Sequence, residues 1–347
     1  MSIDPFERVR LGGSPVEVRR FGMGMAALSG LFRPVADDEA AEVLDRAWEL
    51  GVRYFDTAPV YGYGLGEERL GRLLRSRQPG TYTISSKVGR LLYPLEAIDA
   101  DPGLEPDRPA VDIPDFDPRE GYYKGTSDLR PVFDYSYDGI LRSVEESLRR
   151  TGLEHIDILW VHDPDFHWET AISGAIPALV DLRSEGVVGA IGVGMNQAGM
   201  LARFVREADI DAVMCAGRYT LLDQAALEEL LPACVERGTV VVAAAVMNSG
   251  LLADPTPEAR FDYAPAPPEL LARALAIKDV CERNGVPLRA AALQFVFGHP
   301  QVVSVVAGVR SVAHLDDAVA NLQWDTPAAL WDELRMEGLL PENVPTP

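Results

Sequence analysis

The stretch RYFDTAPVYGY, residues 53–63, joins a short apolar run to a turn: Asp56 closes the run and Tyr61 stands just beyond it, before Gly62. Upstream lies DDEAAEVLDRAWELG (37–51) and downstream GEERLGRLLRSR (66–77), both with apolar residues at helical spacing; Leu70, Leu73 and Leu74 form one stripe. A strand followed by a helix is therefore the local unit, and the chain repeats it. RRFGMGMAAL (19–28), TYTISSKV (81–88), HIDILWVH (155–162), VVGAIGVG (187–194), AVMCAG (212–217), TVVVAAAV (239–246) and QVVSVVAGV (301–309) are the other runs, each followed by a helix-like stretch. They are continuously apolar rather than alternating, as expected of parallel strands covered on both faces. Gly51, Gly152, Gly238 and Gly285 stand where helices should stop, which suits left-handed caps. Eight such units in 347 residues predict an α/β fold, a (β/α)8 TIM barrel in a single domain spanning 1–347, with an open doubly wound sheet as the alternative. No GxGxxG follows the first strand, so a Rossmann turn is not expected to hold a dinucleotide.

Composition removes several classes of function. A net charge of −21 repels phosphate backbones and anionic lipid, so neither nucleic acid nor membrane is an expected partner. No apolar run reaches membrane-spanning length, and MSIDPFERVRLGG has no signal-like apolar region. Cys215, Cys234 and Cys281 form no C-x-x-C pair, so no disulfide framework and no metal site is expected; a cytoplasmic location follows as the expectation. Residues 94–134 break the rhythm, with eleven acidic side chains against four basic ones and no period. This long acidic loop follows the third strand, so a barrel places it on the C-terminal face, where active sites lie. It is either a lid over the site or a passive surface excursion.

The same geometry brings four side chains to one rim. Asp56 ends strand two, Tyr61 follows on its loop, Lys87 ends strand three and His162 ends strand four. Singly, each has an ordinary structural role: a cap, loop packing, a surface charge, a satisfied imidazole. Together they suit proton transfer at a carbonyl or hydroxyl oxygen. A phenol titrates near 10, a neighbouring ammonium favours its ionised form, a carboxylate holds the ammonium, and an imidazole adds a donor. Hydride is what side chains cannot supply, so a nicotinamide is implied.

FDTAPVYG with SSKVGR and HDPD resembles the aldo-keto reductase family, and the resemblance runs from RRFGMG to the stretch after AGVRS. It implies that Asp56, Tyr61, Lys87 and His162 are the catalytic tetrad, and that NAD or NADP lies extended across the barrel mouth. Gly194, Met195, Asn196 and Tyr219 would then lie near the nicotinamide ring. Met247, Asn248, Ser249, Gly250 and Leu251 would follow the pyrophosphate, while Gly308, Val309, Arg310, Ser311, His314 and Asp317 would hold the adenosine end. Within the family, VGRLLYP, FDYSYDGILRSVEESL, AGRYTLLDQ and NSGLLA are most similar to the aldose 1-dehydrogenase branch. That implies oxidation of the C1 hydroxyl of a free aldose, of the L-fucose, D-threo-aldose or L-galactose class, to the lactone. The alternatives are a pyridoxal 4-dehydrogenase or a general aldehyde or ketone reductase and, remotely, a non-enzymatic nucleotide-sensing subunit. Gly308 and His314 stand where many NADPH-preferring relatives carry Lys and Arg, and Ala318 where an adenine-contacting Asn is common. Each lost charge-assisted bond to a 2′-phosphate removes about 1.5–3 kcal/mol, and Arg310 would compensate for part of that, so NAD preference or dual use is expected. Gly194–Met195 replaces a Ser-Asn pair on the nicotinamide side, and Asn196 is the expected substitute.

Overall fold

The computed structural model describes residues 2–108, 117 and 119–347. Eight parallel strands, Phe21–Gly24, Tyr54–Asp56, Thr83–Val88, Ile158–His162, Ala190–Met195, Ala212–Ala216, Val240–Ala244 and Val302–Gly308, follow one another around a closed barrel. Closure excludes the open sheet. All eight apolar runs of the sequence are barrel strands, because each must bury both of its faces.

Two cores result. Tyr54, Ile158, Trp160, Ala190, Ala212, Met214, Val242 and Val306 fill the barrel interior. Trp160 fits there because Gly192 faces it; a Cβ at Gly192 would collide with the Trp160 ring and the Ala212 carbonyl. Leu11 and Val18 belong to the same cluster. They come from an N-terminal hairpin, Arg8–Arg10 against Glu17–Arg19, which plugs the bottom of the barrel and leaves the C-terminal rim as the open end. The second core lies between the barrel and its helices and includes the stripe Leu70, Leu73 and Leu74.

The helices follow the sequence signals closely. Asp37–Leu50 has three acidic residues in its first turn and ends at Gly51 with φ of 98°. Tyr137–Thr151 is capped by Ser136, whose hydroxyl accepts from the Gly139 amide at 3.1 Å. The helix-like stretch after the sixth strand is broken into Ala225–Leu227 and Leu230–Arg237. Helices Leu288–Phe295 and Ala328–Met336 are additional to the eight strand–helix units. The first shows no amphipathic stripe because every residue from Ala290 to Phe295 is buried.

The acidic loop carries structure of its own. Arg90–Pro94 pairs antiparallel with Leu129–Phe133, a helix covers Leu95–Ala100, and Pro106 bridges to Val132. The far end is clasped to the loop after the first strand: Phe32 N donates to Tyr122 O and Lys124 N to Gly30 O, both at 2.9 Å. Part of the expected 94–134 loop, residues 109–116 and 118, lies outside the described residues. Among the described residues no helix is long and apolar enough to cross a membrane, and no group of three or more His, Cys, Asp or Glu is placed to hold a metal.

Candidate active site at the mouth of the barrel

Strand register assembles the centre. Asp56 lies opposite Ser85, and Ser85 donates to Asp56 Oδ1 at 2.7 Å. Lys87 is two residues further along the third strand and so shares the inward face with Ser85. Its ammonium turns back to Asp56 Oδ2 at 2.6 Å and to the Thr57 carbonyl at 3.0 Å. Both side chains are almost sealed from solvent, at 2% and 3% exposed, which makes this the most enclosed ion pair of the rim. Trp160 pairs with Lys87, and His162 stands one inward step higher on the fourth strand. Tyr61 sits on a tight turn after the second strand, its amide donating to the Ala58 carbonyl at 3.1 Å. Its ring lies 4.6 Å from Lys87 Nζ and meets the His162 imidazole edge-on at 6.0 Å between centroids. The four predicted residues therefore converge.

Their electrostatics differ from the simplest expectation. Burial, reinforced by the Asp56 charge, pushes the Tyr61 phenol well above its ordinary value near 10, against a smaller opposing pull from Arg90. Lys87 does not bring it down because its charge is matched by Asp56. Tyr61 is thus a neutral phenol. His162 is pushed well below 6.5 by burial, with Arg90 and Lys87 acting in the same direction, so its imidazole is neutral. Its Nδ1 is buried without a partner.

A second layer was missed by sequence reasoning. Arg90, 5% exposed, donates to the His162 carbonyl, to the Tyr135 hydroxyl at 3.2 Å and to Asp107 at 3.0 Å. Tyr135 in turn donates to the carbonyls of His162 at 2.6 Å and Asp163 at 2.9 Å. This scaffold fixes the end of the fourth strand. It depends on Gly89, at φ of 102°, where a Cβ would strike the Tyr135 ring. Asp163 has its carboxyl pushed up to about 7 by burial, with Asp165 and Asp107 adding and Arg90 opposing. The signal was available in SSKVGR and HDPD, but nothing in the strand pattern separates Arg90 or Asp163 from surface charges. Tyr61, His162, Arg90, Asp107, Tyr122, Tyr123, Phe133, Asp163, Asn196, Asp262 and Tyr263 line one cavity.

The predicted cofactor residues fall into two groups. Asn196 lines the cavity and donates to the Ala216 carbonyl at 2.9 Å. Gly194 and Met195 end the fifth strand, with Gly194 opposite His162. After the seventh strand Ala245, Asn248 and Ser249 all hold positive φ, between 45° and 57°. Strain concentrated in one turn marks ligand-binding segments. Met247, Ser249 and Gly250 are at least partly exposed there, and Asn248 keeps a buried Oδ1 without a partner. Past the eighth strand, Gly308 is exposed and Arg310 keeps a buried Nε without a partner, while its other end donates to the Leu31 carbonyl at 2.8 Å. Ser311 caps the following helix by accepting from the His314 amide, and His314 is exposed. Such orphaned polar atoms around an open rim fit a dinucleotide. The side chains of the second group are engaged within the fold. Tyr219 is 1% exposed and packs on Phe295 at 5.3 Å; Leu251 is fully buried in the core; Asp317 pairs with Arg289 at 2.8 Å.

The open end of a parallel eight-stranded barrel thus carries a lysine–carboxylate pair beside a tyrosine and a histidine. The chain belongs to the Aldo/keto reductase family, whose sequence profile matches residues 20–335. It is 44% identical over 323 residues to a D-threo-aldose 1-dehydrogenase of Pseudomonas sp, covering 92% of this chain and 94% of that protein. It is 40% identical to the pyridoxal 4-dehydrogenase of Microbacterium luteolum, over 98% of this chain and all of that one. Among solved structures, the holo form of the aldo-keto reductase AKR11C1 from Bacillus halodurans superposes with a TM-score of 0.72 over 98% of both chains at 24% identity, which shows a common fold. The chain is accordingly an oxidoreductase, and aldo-keto reductases use NAD(P)H.

Proposed function

We propose that this enzyme oxidises the C1 hydroxyl of a free aldose of the L-fucose, D-threo-aldose or L-galactose class to the lactone, with NAD preferred over NADP. The observation that carries the reading is the enclosed Asp56–Lys87 pair beneath Tyr61, with neutral His162 across from it. Tyr61 is the proton-transfer group: it gives its proton to a carbonyl oxygen in reduction and accepts one from the C1 hydroxyl in oxidation. Lys87, whose ammonium lies 4.6 Å from the Tyr61 ring, offsets part of the negative charge that develops on the phenol oxygen as the proton moves, and Asp56 holds Lys87 in place. His162, being neutral, donates one hydrogen bond to the substrate oxygen and orients it. A nicotinamide dinucleotide, when bound, supplies or takes the hydride. Asn196, Asn248, Ser249 and Arg310 are the residues of this chain that would hold it. NAD is favoured because Gly308 and His314 leave the adenosine end without the Lys–Arg clamp, and Arg310 is already tied to Leu31. The described part of the 94–134 loop acts as a lid, since Tyr122, Tyr123 and Asp107 line the cavity. Three free, buried cysteines suit a reducing cytoplasm.

The test is an initial-rate matrix on purified protein: L-fucose, D-arabinose, L-galactose, pyridoxal and nitrobenzaldehyde against NAD and NADP. The reading expects the highest kcat/KM with one of the three sugars and at least about tenfold better use of NAD. Faster turnover of pyridoxal or nitrobenzaldehyde than of every sugar would overturn the aldose assignment.

A further inference from the structure

We infer that Asp163 is a specificity-determining residue, whose carboxylate accepts a hydrogen bond from the hydroxyl on the carbon next to the reacting one. The pocket would then select α-hydroxylated carbonyl compounds and their cyclic forms over simple aldehydes. The inference rests on the aldose reading and deepens it.

Asp163 directly follows His162 and holds φ of 41°, a left-handed backbone that non-glycine residues seldom adopt. Two bonds impose that conformation: the Asp163 amide donates to the Gly194 carbonyl at 2.9 Å, and its own carbonyl accepts from the Tyr135 hydroxyl at 2.9 Å. The carboxylate they aim is half-buried and lines the cavity, with Oδ2 3.4 Å from His162 Nε2. It is therefore one substituent away from the oxygen that His162 would hold. Its nearest cation, Arg90, stands at 4.0 Å and is committed to Asp107, Tyr135 and the His162 carbonyl. Both contacts are longer than a good charge-assisted hydrogen bond, so the Asp163 carboxylate retains acceptor capacity facing the pocket. The same cavity is lined by the aromatic side chains Phe133, Phe166 and Tyr263. A carboxylate acceptor among aromatic side chains matches a molecule with hydroxyls on its edge and C–H groups on its faces. A site built around a hydroxyl discriminates strongly against the analogue lacking it, because its polar group is left unpaired.

The test runs at pH 9 with saturating cofactor and compares paired substrates: L-fucose with 2-deoxy-L-fucose in oxidation, and glycolaldehyde with acetaldehyde in reduction. Wild type should favour the hydroxylated member of each pair by about 10- to 100-fold in kcat/KM. Asp163→Asn keeps the volume and tolerates the left-handed backbone. It should lower the ratio of kcat/KM for the hydroxylated member to that for the deoxy member by about 10-fold or more. A purely structural role would lower both members alike. Equal loss on both, or retained discrimination in Asp163→Asn, overturns the inference. The wild-type comparison needs no variant, so absence of discrimination there overturns it even if Asp163→Asn fails to fold. If wild type turns over neither sugar yet shows Asp163-dependent preference for glycolaldehyde, the aldose reading fails while the role of Asp163 stands.

Discussion

Replacing Lys87 by methionine removes the counter-ion of a carboxylate that has almost no access to water. Asp56 is then held by the Ser85 hydroxyl alone, at 2.7 Å, in a site where both members of the pair are at most 3% exposed. Breaking one side of a buried ion pair costs about 3–5 kcal/mol, chiefly because the remaining charge is stranded. The retained Ser85 bond places the expectation at the lower end, about 3 kcal/mol. At about 2 °C per kcal/mol for a chain longer than 250 residues, Tm should fall by roughly 6 °C. Asp56→Asn removes the stranded charge, so the double variant should be less destabilised than the sum of the singles by about 1.5 kcal/mol or more. Urea or thermal unfolding of the four proteins of this cycle measures it. A Lys87→Met cost below about 1 kcal/mol, or additivity within about 0.5 kcal/mol, refutes the view of the pair as one enclosed unit.

Three further expectations rest on separate observations. Glu67 is fully buried and accepts from Ser86 and Arg150, each at 2.6 Å, joining the helices Leu65–Leu74 and Tyr137–Thr151. Glu67→Ala should therefore destabilise by about 3–5 kcal/mol in denaturant unfolding, and a loss under about 1 kcal/mol would show that Arg150 finds water instead. Because burial and Asp56 raise the Tyr61 phenol, an ultraviolet difference titration of cofactor-free wild type against Tyr61→Phe should show no ionisation of this tyrosine below pH 10, and ionisation near 8 would contradict the charge balance described. Gly89→Ala combines a left-handed backbone with a clash against Tyr135, so it should destabilise by about 1–3 kcal/mol and lower turnover by displacing Arg90; unchanged unfolding would show that the ring moves aside easily.

How much of this was legible in the sequence follows from which residues obey a periodic rule. The eight strands were readable because parallel barrel strands must be apolar on both faces, and HIDILWVH and TVVVAAAV are little else. The convergence of Asp56, Tyr61, Lys87 and His162 was readable because they stand at or just beyond the ends of such runs. The helix Leu288–Phe295 was not, since a fully buried helix loses its polar face and with it the period. Arg90 and Asp163 were not singled out because their importance lies in contacts between chain segments, to Tyr135 and Gly194, that no local pattern encodes. Tyr219 follows a strand end, as a mouth residue would, and its ring packs against Phe295 and His299, contacts that the strand pattern does not encode.

Tyr61→Phe puts the whole assignment to a single question, because it deletes one oxygen at the pocket and leaves the ring packing on Tyr123 and His162 in place. Cofactor affinity, followed by quenching of protein fluorescence, should stay within about threefold of wild type, while kcat on the best substrate falls by about 100-fold or more. Turnover close to wild type with unimpaired cofactor binding would show that the proton is handled by another group.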